Sequence, residues 1–307
     1  MSSDILLQNI ANSITLGSLY ALIAIGYTMV YGIIRLINFA HADLLMVAAY
    51  IVVFGMGVFL LPWWLAFLLA IIFTTLLGVT IEKVAYRPLR SSPRISVLIS
   101  AIGVSFFLEN LGIVVIGARP KLFPRPEQLV WNIQIGDISF LSLTVIIPII
   151  TVLLLIAVNL IVKKTKVGVA MRAVSRDFET AGLMAVDVNK VISFTFAIGS
   201  GLAAVGGIMW SMQYPQIEPL MGVFPGLKCF IAAVMGGIGS ILGAMLGGFV
   251  LGISEIMLVA AMPELSGYRD AFAFVILILI LLFKPGGILG EEIVEKVSWC
   301  VQCSVMG

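Results

Sequence analysis

Few residues in this 307-residue chain are of types that could do chemistry, and where they fall limits what they can do. His41 is the single histidine; with Asn38 and Asp43 it makes a short polar stretch between two apolar runs. Glu109 and Asn110 lie late in another apolar run, and Glu255 interrupts a third. An ionisable group at membrane depth is costly enough to be a pathway candidate by default. His41 has a second reading, a hydrogen bond that joins two helices. Cys300 and Cys303 form a C-x-x-C near the carboxyl end, but no further Cys or His pair completes a metal site, so neither metal nor cofactor is expected. The run G-G-I-G-S-I-L-G from Gly236 lacks the Lys-Ser/Thr ending and preceding strand of a phosphate-cradling loop. Any ATP used must therefore be bound by another chain. A membrane-embedded enzyme would need a nucleophile or metal cluster, and no H-E-x-x-H or spaced acidic cluster is present.

The elements that position these residues follow from composition. Hydrophobic residues make up 61% and charged residues 11%, with mean hydropathy +1.16. Soluble domains carry roughly a quarter charged residues, so this chain cannot cover a water-facing surface. The expectation is one membrane domain, 1–307, an all-α polytopic bundle of eight or nine spans with broken or short helices; each full span needs about 20 apolar residues. Apolar runs place spans over 13–34, 42–61, 63–81, 95–117, 140–162, 191–213, 219–235, 241–261 and 271–283. Pro225 and Gly226 break the seventh, and the last is short. Net charge is only +2, which gives no field for nucleic acid. The amino end shows no basic n-region or small-residue cleavage site, so no removable signal is expected. Residues 291–307 read as a flexible tail.

Lys and Arg set the orientation, because positive loops stay cytoplasmic. The loop 82–94 holds Lys83, Arg87, Arg90 and Arg94, and 163–190 holds Lys163, Lys164, Lys166, Arg172, Arg176 and Lys190. Two spans separate them, so both can be inside, with 118–139 outside despite Arg119, Lys121 and Arg125. The amino terminus is then outside and, with nine crossings, the carboxyl terminus inside. The second loop is too long for a turn and is patterned: Phe178, Ala181, Met184 and Ala185 recur at helical spacing, predicting a short amphipathic helix, with Asp187 as N-cap of the next span. Small residues recur every four positions in three rows: Gly236, Ser240, Ala244, Gly248, Gly252; Gly239, Gly243, Gly247; and Gly199, Ala203, Gly207, Ser211. Such rows let helix backbones approach closely in lipid. A sharper alternative makes Gly236 to Ser240 a hairpin between two half-spans lining a pathway, with Gly237, Gly239 and Ser240 exposed to it.

Longer motifs add a resemblance. I-E-K-V-A-Y-R-P-L-R-S-S from Ile81, L-I-S-A-I-G-V-S-F-F-L-E-N from Leu98, A-L-I-A-I-G-Y-T-M-V-Y-G-I-I from Ala21, I-N-F-A-H from Ile37 and A-V-M-G-G-I-G-S-I-L-G-A from Ala233 together resemble the inner-membrane permeases of branched-chain amino acid ABC importers, in register from about Thr15 to Gly290. Ala42, Ala48 and Ala185 stand where such permeases usually have Gly, Leu242 replaces a common Pro, and Arg176 stands where an acidic or amide residue is more typical.

The resemblance implies a multi-pass subunit of a bacterial inner membrane working with a second related permease, two cytoplasmic ATPases and a periplasmic binding protein. The segment from Gly168 to Val186 would be the coupling helix, with Gly168, Arg172, Asp177, Glu179, Ala181 and Met184 at the ATPase contact. Because the binding protein would supply most of the affinity, the pathway would be rich in small residues with scattered polar groups. Asn12, Thr15, Asn38, His41, Glu109, Asn110 and Ser200 are the candidates. Related permeases carry urea or short amides, which is one alternative. An ion-coupled carrier is another, but it favours paired intramembrane acids and gives the basic loop no role.

Overall fold

The computed structural model describes residues 3–35, 38–90, 92–135, 138–284 and 286–290. Cys300, Cys303 and the expected tail 291–307 lie outside the described residues. Among the described residues, eleven α-helices carry the fold: α1 Ser3–Ile34, α2 Ala40–Gly57, α3 Trp63–Ile81, α4 Arg94–Ile116, α5 Leu143–Lys164, α6 Lys166–Arg176, α7 Phe178–Leu183, α8 Val188–Gln213, α9 Val223–Gly236, α10 Ile241–Ala261 and α11 Arg269–Phe283. Eight helical stretches among the described residues are long and apolar enough to cross a bilayer, and α9, with 14 residues, is the shorter ninth. Both readings of the count were thus partly right, because α9 is apolar but begins only at Val223, after Pro219 and Gly222.

The centre of the bundle is a set of helices in backbone contact, and the glycine rows explain it. A Cβ on Gly252 would lie 2.4 Å from the backbone of Gly17, one on Gly248 2.5 Å from Ala21 N, and one on Gly32 3.4 Å from Gly239. These pairings run in opposite chain directions, so α1 and α10 are antiparallel along most of their length. The adjacent row faces a different neighbour: Cβ atoms on Gly247 and Gly243 would meet the carbonyls of Ala232 and Gly236 on α9 at 2.0 and 2.3 Å. On α8 one stripe serves two helices, with Gly199 against Gly26 and Val30 of α1 and Gly207 against Leu45 of α2. Ala203 is fully buried between them.

The two ends of the bundle are defined by contacts between its connecting segments. At one end, Arg90 pairs with Glu82 and donates to Asn189 Oδ1 at 2.8 Å, while Ser193 donates to Glu82 Oε2 at 2.6 Å. The two basic loops therefore share an end, as their Lys and Arg content predicted; we call it the basic end. At the far end, β1 Lys121–Leu122 pairs antiparallel with β4 Gln216–Ile217, and Arg125 donates to Gln213 O at 2.7 Å. A hairpin of β2 Asn132–Ile135 and β3 Ile138–Leu141 completes that end. These short strands are an addition to the expected all-α architecture; they satisfy backbone groups that a connection outside a helix leaves unpaired.

Candidate functional site

The basic end carries the segment expected to contact a motor. It is two helices rather than one. Thr165 caps α6 by accepting from Gly168 N at 3.0 Å. A Cβ at Gly168 would lie 2.3 Å from the carbonyls of Ile161 and Val162, so only glycine fits this tight step from α5 into α6. Arg172 donates to the Val162 carbonyl, closing the same corner. The chain then turns extended at Asp177 (φ −157°, ψ 122°), whose carboxylate caps α7 by accepting from Glu179 N at 2.9 Å and Thr180 Oγ1 at 2.6 Å. The Thr180 hydroxyl, followed by the backbone N–H groups of Glu179 and Thr180, holds the Asp177 carboxyl below its usual range. Sequence spacing put Phe178, Ala181 and Met184 on one apolar face, but that face is divided. Ala181 is buried and holds α7 on the bundle, while Phe178, Leu183 and Met184 are 41%, 87% and 76% exposed. Three apolar side chains thus project from the basic end.

Asp187 caps α8 as predicted, accepting from Lys190 N at 3.1 Å; that bond, then the Lys190 side chain, lowers its pKa. Between the α7 helix and this cap, Ala185 adopts φ +60°. This is one of the positions where the resemblance expected Gly, and the left-handed conformation is the reason Gly suits it.

The pathway candidates do not converge on one site. Asn12 is exposed near the start of α1. Thr15 is buried and bonds Ala11 O and Thr144 O, joining α1 to α5. Asn110 is exposed and bonds Phe106 O on its own helix. Ser200 is buried against α3, where a Cβ on Gly78 would overlap its hydroxyl. Three others gather where α2 begins. Tyr86 donates to Asn38 Oδ1 at 2.7 Å, Ser105 donates to Asp43 Oδ2 at 2.5 Å, and Glu109 lies on α4 close enough to Asp43 for their charges to interact. His41 is buried with its ring centroid 4.7 Å from that of Tyr27, bonded to the Ile23 backbone, and its Nε2 has no hydrogen-bond partner among the described residues.

The glycine-rich run forms the turn between α9 and α10. Gly237 and Gly239 have φ of +106° and +96°, and Ser240 caps α10 through Gly243 N at 3.1 Å. Only α9 is short, whereas α10 is a full-length span, so the turn does not join two half-spans. Gly237 packs against Gly287 and Gly290, and Ile288 and Leu289 donate to Met235 O and Gly236 O.

Sequence reading singled out Glu255 but missed its partners. Lys228 of α9 donates to Glu255 Oε1 at 2.7 Å and pairs with Asp270 Oδ1 at 2.6 Å. Arg269 Nε reaches the same Glu255 oxygen at 2.5 Å, and Tyr20 donates to Oε2 at 2.9 Å. One network thus ties α1, α9, α10 and α11 together near the far end. The available signal was Lys228 itself, a lone cation in an apolar run, since a buried charge in lipid must find an opposite partner.

The family described as the permease component of the branched-chain amino acid transport system matches residues 9–281. The chain belongs to this family. It is 44% identical over 306 residues to the high-affinity branched-chain amino acid transport system permease protein BraD of Pseudomonas aeruginosa, covering 95% of this chain and 98% of that one. To LivH of Escherichia coli K12, another such permease protein, it is 42% identical over 303 residues, covering 95% and 97%. Against the ribose import permease protein RbsC of Haemophilus influenzae, identity is 24%, covering 89% and 83%. This permease is a multi-pass membrane protein and a transport component rather than an enzyme.

Proposed function

We propose that the chain is one membrane subunit of an ATP-driven importer of branched-chain amino acids in a bacterial inner membrane, working with a second permease subunit, two ATPases and a periplasmic binding protein. The observation that carries the proposal is the basic end: a capped helix pair, α6 and α7, projecting Phe178, Leu183 and Met184 from a loop that shares its end with the other basic loop. A helix pair whose first turns are fixed by the side-chain caps of Thr165 and Asp177 transmits displacement, whereas a flexible loop would absorb it. In this reading Phe178, Leu183 and Met184 enter a groove on the ATPase. Gly168, Arg172, Asp177 and Ala181 fix the pair to α5 and the bundle, and Glu179 lies on the first turn beside the contact.

ATP-driven closure would then push on α5 and α8, the two spans that flank the pair. The α8 stripe Gly199, Ala203 and Gly207 passes that motion to α1 and α2, because backbone contacts leave no soft side chain to take it up. The polar groups around the start of α2, namely Asn38, His41, Asp43 and Glu109, with Ser200 on α8 nearby, are the groups such a movement would rearrange. Asn12 and Asn110 are exposed, Thr15 joins α1 to α5, and Gly237, Gly239 and Ser240 form the α9–α10 turn, so these are weaker pathway candidates. The test is Met184→Asp combined with Leu183→Asp. The double variant should insert and fold normally yet lose ATP-driven leucine uptake and co-purification of the ATPase; retention of both overturns the assignment.

A further inference from the structure

Helix α11 is loosely seated. Ala273 is its one buried described residue, while Phe274, Val275, Ile278 and Leu282 face outward. Between it and α10, in the half nearer the far end, lies a cavity of about 360 Å³, walled by Leu251, Leu258, Phe272 and Ile276, with Glu255 and Arg269 also in its lining. An apolar gap of this size at membrane depth forfeits dispersion contacts unless something apolar fills it.

At the polar end of the gap Arg269 lines the wall, and beside it Asp270 of the same helix adds unused polar capacity of the opposite sign. Arg269 spends its Nε on Glu255, and its two terminal nitrogens make no hydrogen bond among the described residues. Its neighbour Asp270 gives Oδ1 to Lys228, and Oδ2 makes none among the described residues; the two side chains are 42% and 51% exposed. Glu255 itself is buried and already held by Lys228, Arg269 and Tyr20, which take three of a carboxylate's roughly four acceptor positions, so it is not the group offered to an outside ligand. The four charges sum to zero, so a purely anionic headgroup gains no net attraction from the cluster. A headgroup offering an anion to Arg269 and a hydrogen-bonding cation to Asp270 gains two charge-assisted bonds.

We propose that this gap is a binding site for a phospholipid whose headgroup carries both a phosphate and a primary ammonium, with the phosphate on Arg269, the ammonium on Asp270 and one acyl chain between α10 and α11. Through the ion pairs to Lys228 the lipid braces α9, the shortest span, so its occupancy sets how firmly α9 is held. The site stands independently of the substrate and coupling assignments above.

The test uses the full chain, purified in mild detergent and stripped of lipid, then titrated with phosphatidylethanolamine, phosphatidylglycerol or phosphatidylcholine and read by native mass spectrometry and thermal unfolding. Phosphatidylethanolamine should bind at least about tenfold more tightly than either of the others, the loss expected for one charge-assisted bond, and should raise the unfolding temperature most. Asp270→Asn, which removes the ammonium's partner, should abolish that preference, and Arg269→Gln should weaken binding of all three lipids. Ile276→Trp, which fills the gap and leaves every charge in place, should abolish binding and keeps the test intact if Arg269→Gln does not fold. Equal binding of the three lipids, or undiminished binding to Ile276→Trp, overturns the proposal. Competitive displacement of the lipid by millimolar leucine also overturns it, assigning the gap to an amino acid.

Discussion

Replacing Gly252 by alanine tests whether backbone contact between α1 and α10 holds the bundle. The added methyl would lie 2.4 Å from Gly17 N and Cα and 3.1 Å from Leu16 C. All three are backbone atoms, so no side chain can swing away. Ordinary contact begins at 3.4 Å, so α1 and α10 must separate locally by about 1 Å. A shift of that kind is overpacking, which costs about 1–3 kcal/mol. It also reaches Gly248, four residues along the same face, where Ala21 N is equally near. Gly103→Ala on α4 is the control, because nothing lies within 4 Å of that position and the change should be neutral or favour the helix. Gly201→Ala should fall between, meeting only the Thr75 hydroxyl at 3.3 Å. Thermal unfolding of the three purified variants in one detergent, followed by size-exclusion, should rank Gly252→Ala well below Gly201→Ala and Gly201→Ala at or below Gly103→Ala. Equal stability for Gly252→Ala and Gly103→Ala would refute the close-packing argument.

Further outcomes follow from other residues. Gly243→Leu should unfold the α9–α10 pair, since even a Cβ there meets Gly236 O at 2.3 Å, and membrane yield would report it. Lys228→Met should lower stability by about 3 kcal/mol, at the lower end for a broken buried pair because Arg269 still faces Glu255; an unchanged unfolding temperature would count against the network. Ala185→Gly should stabilise by about 1 kcal/mol by relieving its left-handed backbone, and a loss of stability would contradict that. The Asp177 and Asp187 carboxyls have folded pKa values below the ordinary 3.8, so their caps are fully formed above that value and are lost only as pH falls through the lower folded value. Hydrogen exchange in α7 should therefore be insensitive to capping between neutral pH and about pH 5.

The fold's legible parts were those with a local physical cause. Apolar length placed the spans, Lys and Arg put both basic loops at one end, and an Asp ahead of an apolar run located the α8 cap. The four-residue small-residue spacing marked contact faces, although it could not say that Gly248 and Gly252 meet α1 while Gly243 and Gly247 meet α9. What the sequence concealed depends on distant contacts. Spacing alone merged α6 and α7, because Asp177 reads equally as a polar helix face or as a cap, and only the extended backbone there decides. Ala181 and Met184 were grouped as one apolar row, yet a six-residue helix held by one alanine turns its remaining apolar residues outward. The Lys228 network joins residues from four helices, so Glu255 looked like a lone acid until its partners were placed beside it.

The central claim, that this chain conducts branched-chain amino acids only when a motor on its basic end hydrolyses ATP, is most directly tested by reconstitution. The chain would be purified with whatever subunits accompany it and placed in liposomes with a liganded binding protein, and leucine uptake would be followed with and without internal ATP. The account predicts uptake that needs both ATP and the binding protein. Uptake by the chain alone, driven by an ion gradient without ATP, would contradict it.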